Sequence, residues 1–333
     1  MPSPTANTSL PSTSFLEVFR AEAGTSGCMT FERFMALALY HPTVGYYQRE
    51  QKRVGYGRDS DFFTATSTGS LLGELIQAAC QTLLSPQELA DYTFVEIGAE
   101  PNSGIFTGVE HSFGATRAIR IGEPITLNGK CVVFSNELFD AQPFRRFEYR
   151  ANAWHELGVQ LRDNVLHEIS LTPSSLPPVL PAAAPEHYHI DLPLAAVALA
   201  EQIAAQPWAG LFVAFDYGKT WRELIEAAPA GTARAYHRHT QSNDLLARPG
   251  QQDLTCHICW DWLAAALEKN GFAIPQIETQ ESFFIRRAAD FMARAVTAEA
   301  SQLSQRKLSL LQLLHHLGQK FQVLWALRQS SSF

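Results

Sequence analysis

The stretch Val95-Glu96-Ile97-Gly98-Ala99-Glu100-Pro101-Asn102-Ser103-Gly104 points most directly to the fold of this chain. Its apolar start continues a β-rich run, and the turn that follows contains Gly98 and Gly104. In nucleotide-binding α/β domains, such a junction lets the backbone approach a ligand. An ordinary turn between a strand and a helix is the alternative, because only two glycines are present and Glu100 stands where a third would help.

Four short β-rich runs outline a sheet around this turn, and three of them are apolar enough to be buried on both faces. They span residues 94–97, 117–121, 131–135 and 211–215. Helical patterns follow at least two of the runs. This alternation predicts an α/β fold with a mostly parallel, doubly wound core.

The patterns outside these runs predict five segments. They are a disordered tail (1–14), N-terminal helices with a lid loop (15–90), a first part of the core (91–146), an inserted hairpin with a proline-rich surface connection (147–194), and a second part of the core with a C-terminal helix (195–333). Residues 282–285 are predicted as a closing strand. Apolar residues at helical spacing from Leu303 to Leu324 predict the C-terminal helix.

Composition narrows the class of protein. The 333 residues have a formal net charge of −7 and no cluster of Lys and Arg, which argues against an electrostatic nucleic-acid binder. Small molecules or polypeptides are the expected partners. The five cysteines are odd in number and scattered, which predicts free thiols in a reducing, cytoplasmic compartment. No apolar run reaches the roughly 20 residues of a membrane helix, so we expect a soluble protein.

Polar side chains follow two of the predicted strands. Asn136, Glu137 and Asp140 come after one, and Asp216 and Tyr217 come after another. At the carboxyl ends of parallel strands such groups line the ligand crevice, although Asn136 alone would also suit a helix N-cap. Carboxylates at two strand ends suggest a site for a cation. Glu100 would repel a phosphate but tolerate a cationic ligand such as S-adenosylmethionine.

His257 lies between Cys256 and Cys259, which would be a poor zinc site. A single Cys-x-x-Cys pair lacks the second pair of ligands that structural zinc needs. We therefore predict no metal. His257 is either a functional histidine or a core histidine bonded to the backbone.

Read in order, several motifs together resemble the MidA family, whose mitochondrial members are arginine methyltransferases that assist assembly of respiratory complex I. The motifs are Ala38 to Tyr47 (ALYHPTVGYY), Asp61 to Thr64 (DFFT), Gly73-Glu74, Val95 to Gly98 (VEIG), Asn136 to Pro143 (NELFDAQP), Asp216 to Gly218 (DYG), Asp253 to His257 (DLTCH), Thr279-Gln280 and Leu317 to Phe321 (LGQKF). The resemblance covers nearly the whole chain after Ser14.

The resemblance implies a seven-stranded, Rossmann-like S-adenosylmethionine-dependent methyltransferase core with the cofactor over Gly98 to Gly104. It assigns cofactor binding to Asp61, Phe62, Thr64, Glu96, Gly98, Gly104, Glu123 and Asn136. It assigns substrate binding to Asp140 and Tyr217, and catalysis to Glu137, Asp216 and His257. If the acceptor is an arginine, its guanidinium needs a carboxylate partner, for which Glu137 is the first candidate and Asp216 the second. His257 would accept the proton lost after transfer.

The chain also departs from the family. Only 38 positions separate Gly98 from Asn136, so most of one βα unit is expected to be missing. The segment 120–124 resembles what remains of the ribose-binding strand, with Glu123 as its acid. A second hypothesis follows, in which the chain keeps the fold but serves as a non-catalytic binding or assembly protein.

Overall fold

The computed structural model describes residues 12–48, 70–101, 104–172, 175–298, 305–316 and 320–329. The chain divides into two compact units. The first unit comprises Met1–Phe62, Ala141–Ala196 and Trp221–His257, and the second comprises Phe63–Asp140, Val197–Thr220 and Ile258–Phe333.

The α-helices of the described residues are α1 (Thr13–Ala23), α2 (Phe31–Tyr40), α3 (Ser70–Leu84), α4 (Leu194–Ala204), α5 (Trp221–Glu226), α6 (Trp260–Lys269), α7 (Gln280–Arg287), α8 (Ala289–Ala298) and α9 (Gln305–Leu311). A π-helical turn, Gln312–His316, follows α9.

The strands are β1 (Cys28–Thr30), β2 (Thr93–Ile97), β3 (Ala115–Ile119), β4 (Gly129–Asn136), β5 (Arg145–Arg150), β6 (Ala153–Arg162), β7 (Val165–Leu171), β8 (Tyr188–Leu192), β9 (Trp208–Asp216), β10 (Gly218–Lys219), β11 (Arg234–His237), β12 (Thr240–Ser242), β13 (Asp253–Thr255), β14 (Ile258–Cys259), β15 (Gln276–Thr279) and β16 (Gln322–Arg328).

The second unit is built on a six-stranded mixed sheet with the order β15-β16-β9-β4-β2-β3. Strands β3, β2, β4 and β9 are parallel, whereas β16 and β15 are antiparallel to their neighbours. Helices α3 and α7 pack on one face, where Phe94, Phe134 and Phe215 belong to one buried cluster. This sheet confirms the predicted α/β class, but it has six strands among the described residues rather than the seven that the resemblance implied.

The sheet lacks helices in the interval from β2 to β4, where the sequence predicted that a βα unit is missing. No helix occurs in the described residues between β2 and β3, and the nine residues from β3 to β4 form no helix either. Arg117 holds this second connection by donating from Nη1 to the carbonyl of Thr126 at 2.7 Å. The absence of these helices from the described residues agrees with the expectation that most of one βα unit is missing between Gly98 and Asn136.

Four sequence predictions were wrong. Residues 282–285 belong to helix α7, whose start is capped by the Thr279 hydroxyl accepting from the N–H of Ser282. The predicted C-terminal helix ends before strand β16, which includes Leu324. The proline-rich surface connection predicted within residues 147–194 is not wholly on the surface, because it contains the buried strand β8. The predicted tail also ends earlier, since α1 begins at Thr13.

The first unit contains a five-stranded antiparallel sheet with the order β1-β6-β5-β8, to which β7 adds by pairing with β6. The predicted hairpin corresponds to β5 and β6. A second sheet, β12-β11-β13, has three strands. Helices α1 and α2 bury Phe15, Phe19, Phe31 and Phe34 in one cluster, and the Thr30 hydroxyl caps α2 by accepting from the N–H of Arg33.

All five cysteines are free thiols, as the scattered positions predicted. In the part of the chain that the structure describes, no helix has the length and apolar character to cross a membrane. Within those same residues, no group of three or more His, Cys, Asp or Glu side chains is arranged to hold a metal ion.

Candidate functional site

The carboxyl ends of four parallel strands meet at one edge of the six-stranded sheet. Ile97 at the end of β2 pairs with Ile119 of β3 and with Ser135 of β4. One residue farther along, Asn136 of β4 pairs with Phe215 of β9. The turns that begin at Gly98 and after Asn136 therefore lie side by side, as expected for parallel strands.

Glu96 binds the loop that follows its own strand. Its Oε2 accepts from the N–H of Ile105 at 2.8 Å, and a Cβ on Gly104 would lie only 2.9 Å from the same oxygen. Gly98 has a φ of +84°, and its N–H donates to the carbonyl of Ile119 at 2.9 Å. Glycine is needed at 98 for its backbone conformation and at 104 for this close approach.

Burial raises the pKa of the Glu96 carboxyl to about 7. The bond from Ile105 and the charge of Arg120 act in the opposite direction, while the charge of Glu100 adds to the rise. Desolvation is the largest contribution to the pKa of Glu96, because the side chain is almost fully removed from water. Glu96 therefore changes its charge near neutral pH.

A strained turn follows β4. Glu137 has a φ of 53°, a left-handed conformation that costs a residue with a side chain about 1–2 kcal/mol. Its N–H donates to the carbonyl of Phe215 at 2.9 Å, and its Oε1 accepts from Asn136 Nδ2 at 2.9 Å. The neighbouring strand thus holds Glu137 in this conformation. Strain of this kind is often stored at functional sites.

Two buried polar atoms beside this turn lack a hydrogen-bond partner among the described residues. They are Asn136 Oδ1 and Ser135 Oγ. A buried acceptor without a partner costs about 1–3 kcal/mol, so these two atoms can accept hydrogen bonds from a ligand or an ordered water at this strand end.

Asp216 is wholly buried, and both of its oxygens bind backbone groups. Oδ2 accepts from the N–H of Phe139 at 2.8 Å and of Asp140 at 3.4 Å, while Oδ1 accepts from the N–H of Tyr217 at 2.8 Å. Burial raises its pKa, although these backbone bonds favour the charged form. The side chain holds the loop after Glu137 and has no face turned to solvent.

The two predicted substrate-binding residues adjoin Asp216. Asp140 is buried. The Tyr217 ring lies 4.1 Å from the ring of Phe321, centroid to centroid, and the Tyr217 carbonyl accepts from the N–H of Ile258 at 3.0 Å. Glu123, in contrast, is exposed, and its Oε2 accepts from the N–H of Arg120 at 2.8 Å, so it closes its own turn.

His257 belongs to the first unit, where its N–H donates to the Thr232 hydroxyl at 3.2 Å. Asp61, Phe62 and Thr64, assigned to cofactor binding by the resemblance, lie outside the described residues.

Sequence reasoning missed Leu138 and Asp191. A Cβ on Gly98 would lie 3.0 Å from Leu138 Cδ1, so this leucine packs directly on the first turn. Asp191 forms a buried ion pair with Arg146 in the first unit. The signal for Asp191 was present, because the apolar residues Tyr188, Ile190 and Leu192 alternate around it as in a strand.

The second unit's edge fits S-adenosylmethionine in the chemistry of its groups. Asn136 Oδ1 and Ser135 Oγ are acceptors suited to the ammonium group of the cofactor. Carboxylates at Glu96 and Glu137 give the edge a negative charge when ionised, which suits a sulfonium. Leu138 packs on the turn at Gly98, and the N–H groups of Gly98 and Ala99 both donate to the carbonyl of Ile119, at 2.9 and 3.2 Å.

Comparisons with known proteins agree with this chemistry. Residues 113–277 match the model of a family described as "Putative S-adenosyl-L-methionine-dependent methyltransferase". The mitochondrial protein arginine methyltransferase NDUFAF7 of Danio rerio is 23% identical over 328 residues, covering 80% of this chain and 74% of the relative.

Two crystal structures of COG1565 superfamily proteins from Burkholderia thailandensis share the fold. The first, bound to S-adenosyl-homocysteine, has a TM-score of 0.81 at 22% identity and covers 95% of this chain and 92% of its own. The second, a native structure, has a TM-score of 0.79 at 21% identity, with coverages of 95% and 91%. The chain therefore has the α/β fold of these proteins over almost its whole length.

Proposed function

We propose that the chain is a methyltransferase of the MidA family that uses S-adenosylmethionine to methylate a nitrogen of arginine side chains in a protein substrate. The choice of arginine is supported by the relative at 23% identity, which is a protein arginine methyltransferase. The observation that carries the proposal is the strained turn at Asn136 and Glu137, with its buried acceptor atom and its carboxylate.

The six-stranded sheet is in this proposal a Rossmann-like core that has lost one βα unit. Asn136 and the turn from Gly98 to Gly104 would hold the cofactor, with Glu96 fixing that turn through Ile105. To bind a ribose hydroxyl, Glu123 would have to give up the hydrogen bond that it accepts from the N–H of Arg120. When bound, S-adenosylmethionine supplies a methyl group on a positively charged sulfur, ready for displacement by a nitrogen lone pair.

Glu137 orients the acceptor in this mechanism. A guanidinium is planar and binds a carboxylate through two parallel N–H···O bonds, which fixes the direction of its nitrogen lone pair. The bond from Asn136 Nδ2 and the bond of the Glu137 N–H to Phe215 fix the carboxylate itself. Correct placement of the reacting groups supplies most of the catalysis in such a transfer.

In this proposal Asp216 is not the catalytic residue that the resemblance implied. Its two oxygens are used by the backbone of residues 139, 140 and 217, so it is a positioning residue for the loop after Glu137. Asp140 and Tyr217 stay candidates for substrate contact. The catalytic role of His257 stays a prediction of the resemblance, and its N–H donates to the Thr232 hydroxyl in the first unit.

A non-catalytic binding protein is not favoured, since both the family model and the curated relative are methyltransferases. The shortened core leaves the turn at Asn136 complete. A cytoplasmic location and a protein substrate remain predictions from the cysteines and from the relative.

A labelling experiment tests the proposal. The full chain is incubated with S-adenosylmethionine labelled in its methyl group and with a protein extract as acceptor, and the proteins are then hydrolysed to amino acids. We expect label in methylarginine with the native chain and none with Glu137→Gln, which keeps the side-chain shape but removes the charge.

Calorimetry with S-adenosylhomocysteine should give the same affinity for the native chain and for Glu137→Gln. Label in another amino acid would contradict the arginine assignment. Loss of cofactor binding in Glu137→Gln would contradict the role given to Glu137.

A further inference from the structure

Gln280, the first residue of helix α7, has a buried oxygen that the proposed function does not use. Its side chain is fully removed from water, and Nε2 donates to the carbonyl of Leu313 at 2.7 Å. This bond to a carbonyl identifies the NH₂ end of the amide, so Oε1 is the other atom. Among the described residues, Oε1 has no hydrogen-bond partner. Proteins rarely bury an acceptor without a partner, so this atom needs an explanation.

Gln280 is held in place at two points. Its backbone N–H donates to the carbonyl of Phe321 at 3.0 Å. Its side-chain partner, Leu313, belongs to the π-helical turn Gln312–His316. Single π-helical turns are rare and are frequent at functional sites. The backbone and one end of the amide are therefore fixed, while the other end keeps an acceptor for a ligand.

A row of paired residues runs from the turn after β4 to strand β15, entirely within the second unit. Asn136 pairs with Phe215, and Phe215 pairs with Val323. Val323 pairs in turn with Glu278. Paired residues point to the same face of a sheet, so this row crosses the sheet on one face. Gln280 follows Glu278 by two residues and lies one step beyond the row, on the same edge of the sheet as Asn136.

Two aromatic rings lie at the level of Gln280, between it and the turn after β4. Tyr217 comes directly after β9, and Phe321 comes directly before β16. Their ring centroids are 4.1 Å apart. Aromatic faces attract cations, and a guanidinium also stacks on a ring through its planar group.

The carboxylate nearest to Gln280 in sequence is already used. Glu278 Oε1 accepts from Trp325 Nε1 and from Arg287 Nη2, both at 3.0 Å. The amide oxygen of Gln280 is therefore the acceptor that this end of the row offers. An amide oxygen beside aromatic rings suits a guanidinium, which donates hydrogen bonds and is attracted to the rings.

We propose that Gln280 Oε1 and the rings of Tyr217 and Phe321 form a second subsite for the protein substrate, which binds another arginine side chain. The proposal rests on the proposed function, in which Glu137 orients the methylated arginine. The row from Asn136 spans three strand spacings, or about 14 Å. An extended chain covers this distance in about four residues. The subsite thus selects substrates with a second arginine about four positions from the methylated one.

Calorimetric titration of the full chain with two end-blocked peptides tests the proposal. One peptide has arginines at its first and fifth positions with glycines between them, and the other has norleucine in place of the fifth. We expect the native chain to bind the first peptide about tenfold more tightly, as a charge-assisted hydrogen bond implies. Gln280→Met keeps the length of the side chain but removes the oxygen, and it should reduce this ratio to about twofold, since the first peptide can still bind through either arginine. Gln276→Met, at an exposed glutamine of β15, should leave the ratio unchanged.

Equal affinities of the native chain for the two peptides, or no binding of either, would overturn the proposal. A preference that Gln280→Met leaves intact would also overturn it, and an ordered water would then be the partner of Oε1. If Gln280→Met does not fold, Phe321→Leu decides: it removes a ring but keeps the amide, and it should reduce the ratio about threefold.

Peptide binding is read from heat alone, without cofactor and without methyl transfer. A native chain that prefers the first peptide but transfers no methyl group would refute the proposed function and leave the subsite standing. Methyl transfer to arginine by a chain that shows no such preference would refute the subsite alone.

Discussion

Glu96→Gln offers a quantitative test of the buried carboxyl beside the glycine turn. Glutamine keeps the shape and still offers Ile105 an oxygen acceptor, but it cannot ionise. Burial raises the pKa of Glu96 from 4.5 to about 7, so the folded protein holds its proton more tightly than the unfolded chain. Between these two pH values the unfolded chain has lost the proton and the folded protein has kept it. The free energy of unfolding of the native protein should therefore fall as pH rises through this window.

The size of the effect follows from the shift. Each pKa unit corresponds to about 1.4 kcal/mol, so the full contribution is on the order of 3 kcal/mol, present below pH 4.5 and lost above pH 7. The side chain is buried, so solvent screening reduces this value little. Glu96→Gln removes this dependence, and its stability relative to the native protein should rise by that amount across the window.

Urea unfolding at half-unit steps from pH 5 to pH 8 measures the difference. Glu278→Gln is the control, because bonds from Trp325 and Arg287 outweigh burial and lower the pKa of Glu278 from its ordinary value of 4.5. The contribution of that carboxylate is fully present above its unfolded pKa, so the difference in stability between Glu278→Gln and the native protein should be constant from pH 5 to pH 8. A difference between Glu96→Gln and the native protein that is flat or falls with rising pH would refute the reasoning.

Three further changes test the described contacts. The free energy of unfolding should be about 1 kcal/mol higher for Glu137→Gly than for Glu137→Ala, because glycine adopts the left-handed conformation without strain. Equal stabilities of the two variants in denaturant titrations would contradict this prediction. Asp216→Asn should lower the free energy of unfolding by about 2 kcal/mol through lost backbone bonds; an unchanged melting curve with lost activity would instead indicate substrate contact. Gly218→Ala should lower the free energy of unfolding by about 1–3 kcal/mol, since its Cβ would lie 2.3 Å from the buried Trp260 ring. A variant with the same melting temperature as the native protein would contradict this prediction.

The sequence predicted the elements whose periodicity is unambiguous. The parallel strands β2, β4 and β9 lie where their patterns placed them. The C-terminal error has a physical cause: Val323 and Leu324 are both fully buried because β16 is covered on both faces, and such a run also satisfies helical spacing. Two adjacent phenylalanines at 283 and 284 imitate a strand in the same way.

The site was predictable in place but only partly in role. Asn136, Glu137 and Asp216 lie at strand ends, as their positions after apolar runs indicated. No local pattern reveals that Asp216 turns toward the backbone of residues 139 and 140, because that contact joins positions more than seventy residues apart. The left-handed conformation of Glu137 was equally hidden, since it is imposed by the carbonyl of Phe215 on a neighbouring strand.

Calorimetric titration with S-adenosylhomocysteine tests most directly the claim that the turn after β4 holds the cofactor. The native chain should give saturable heat well below millimolar cofactor. Asn136→Ala should bind about tenfold more weakly, as loss of a buried hydrogen-bond acceptor implies. Absence of heat from the folded native chain at millimolar cofactor, or equal affinities for the two proteins, would contradict the assignment of this site.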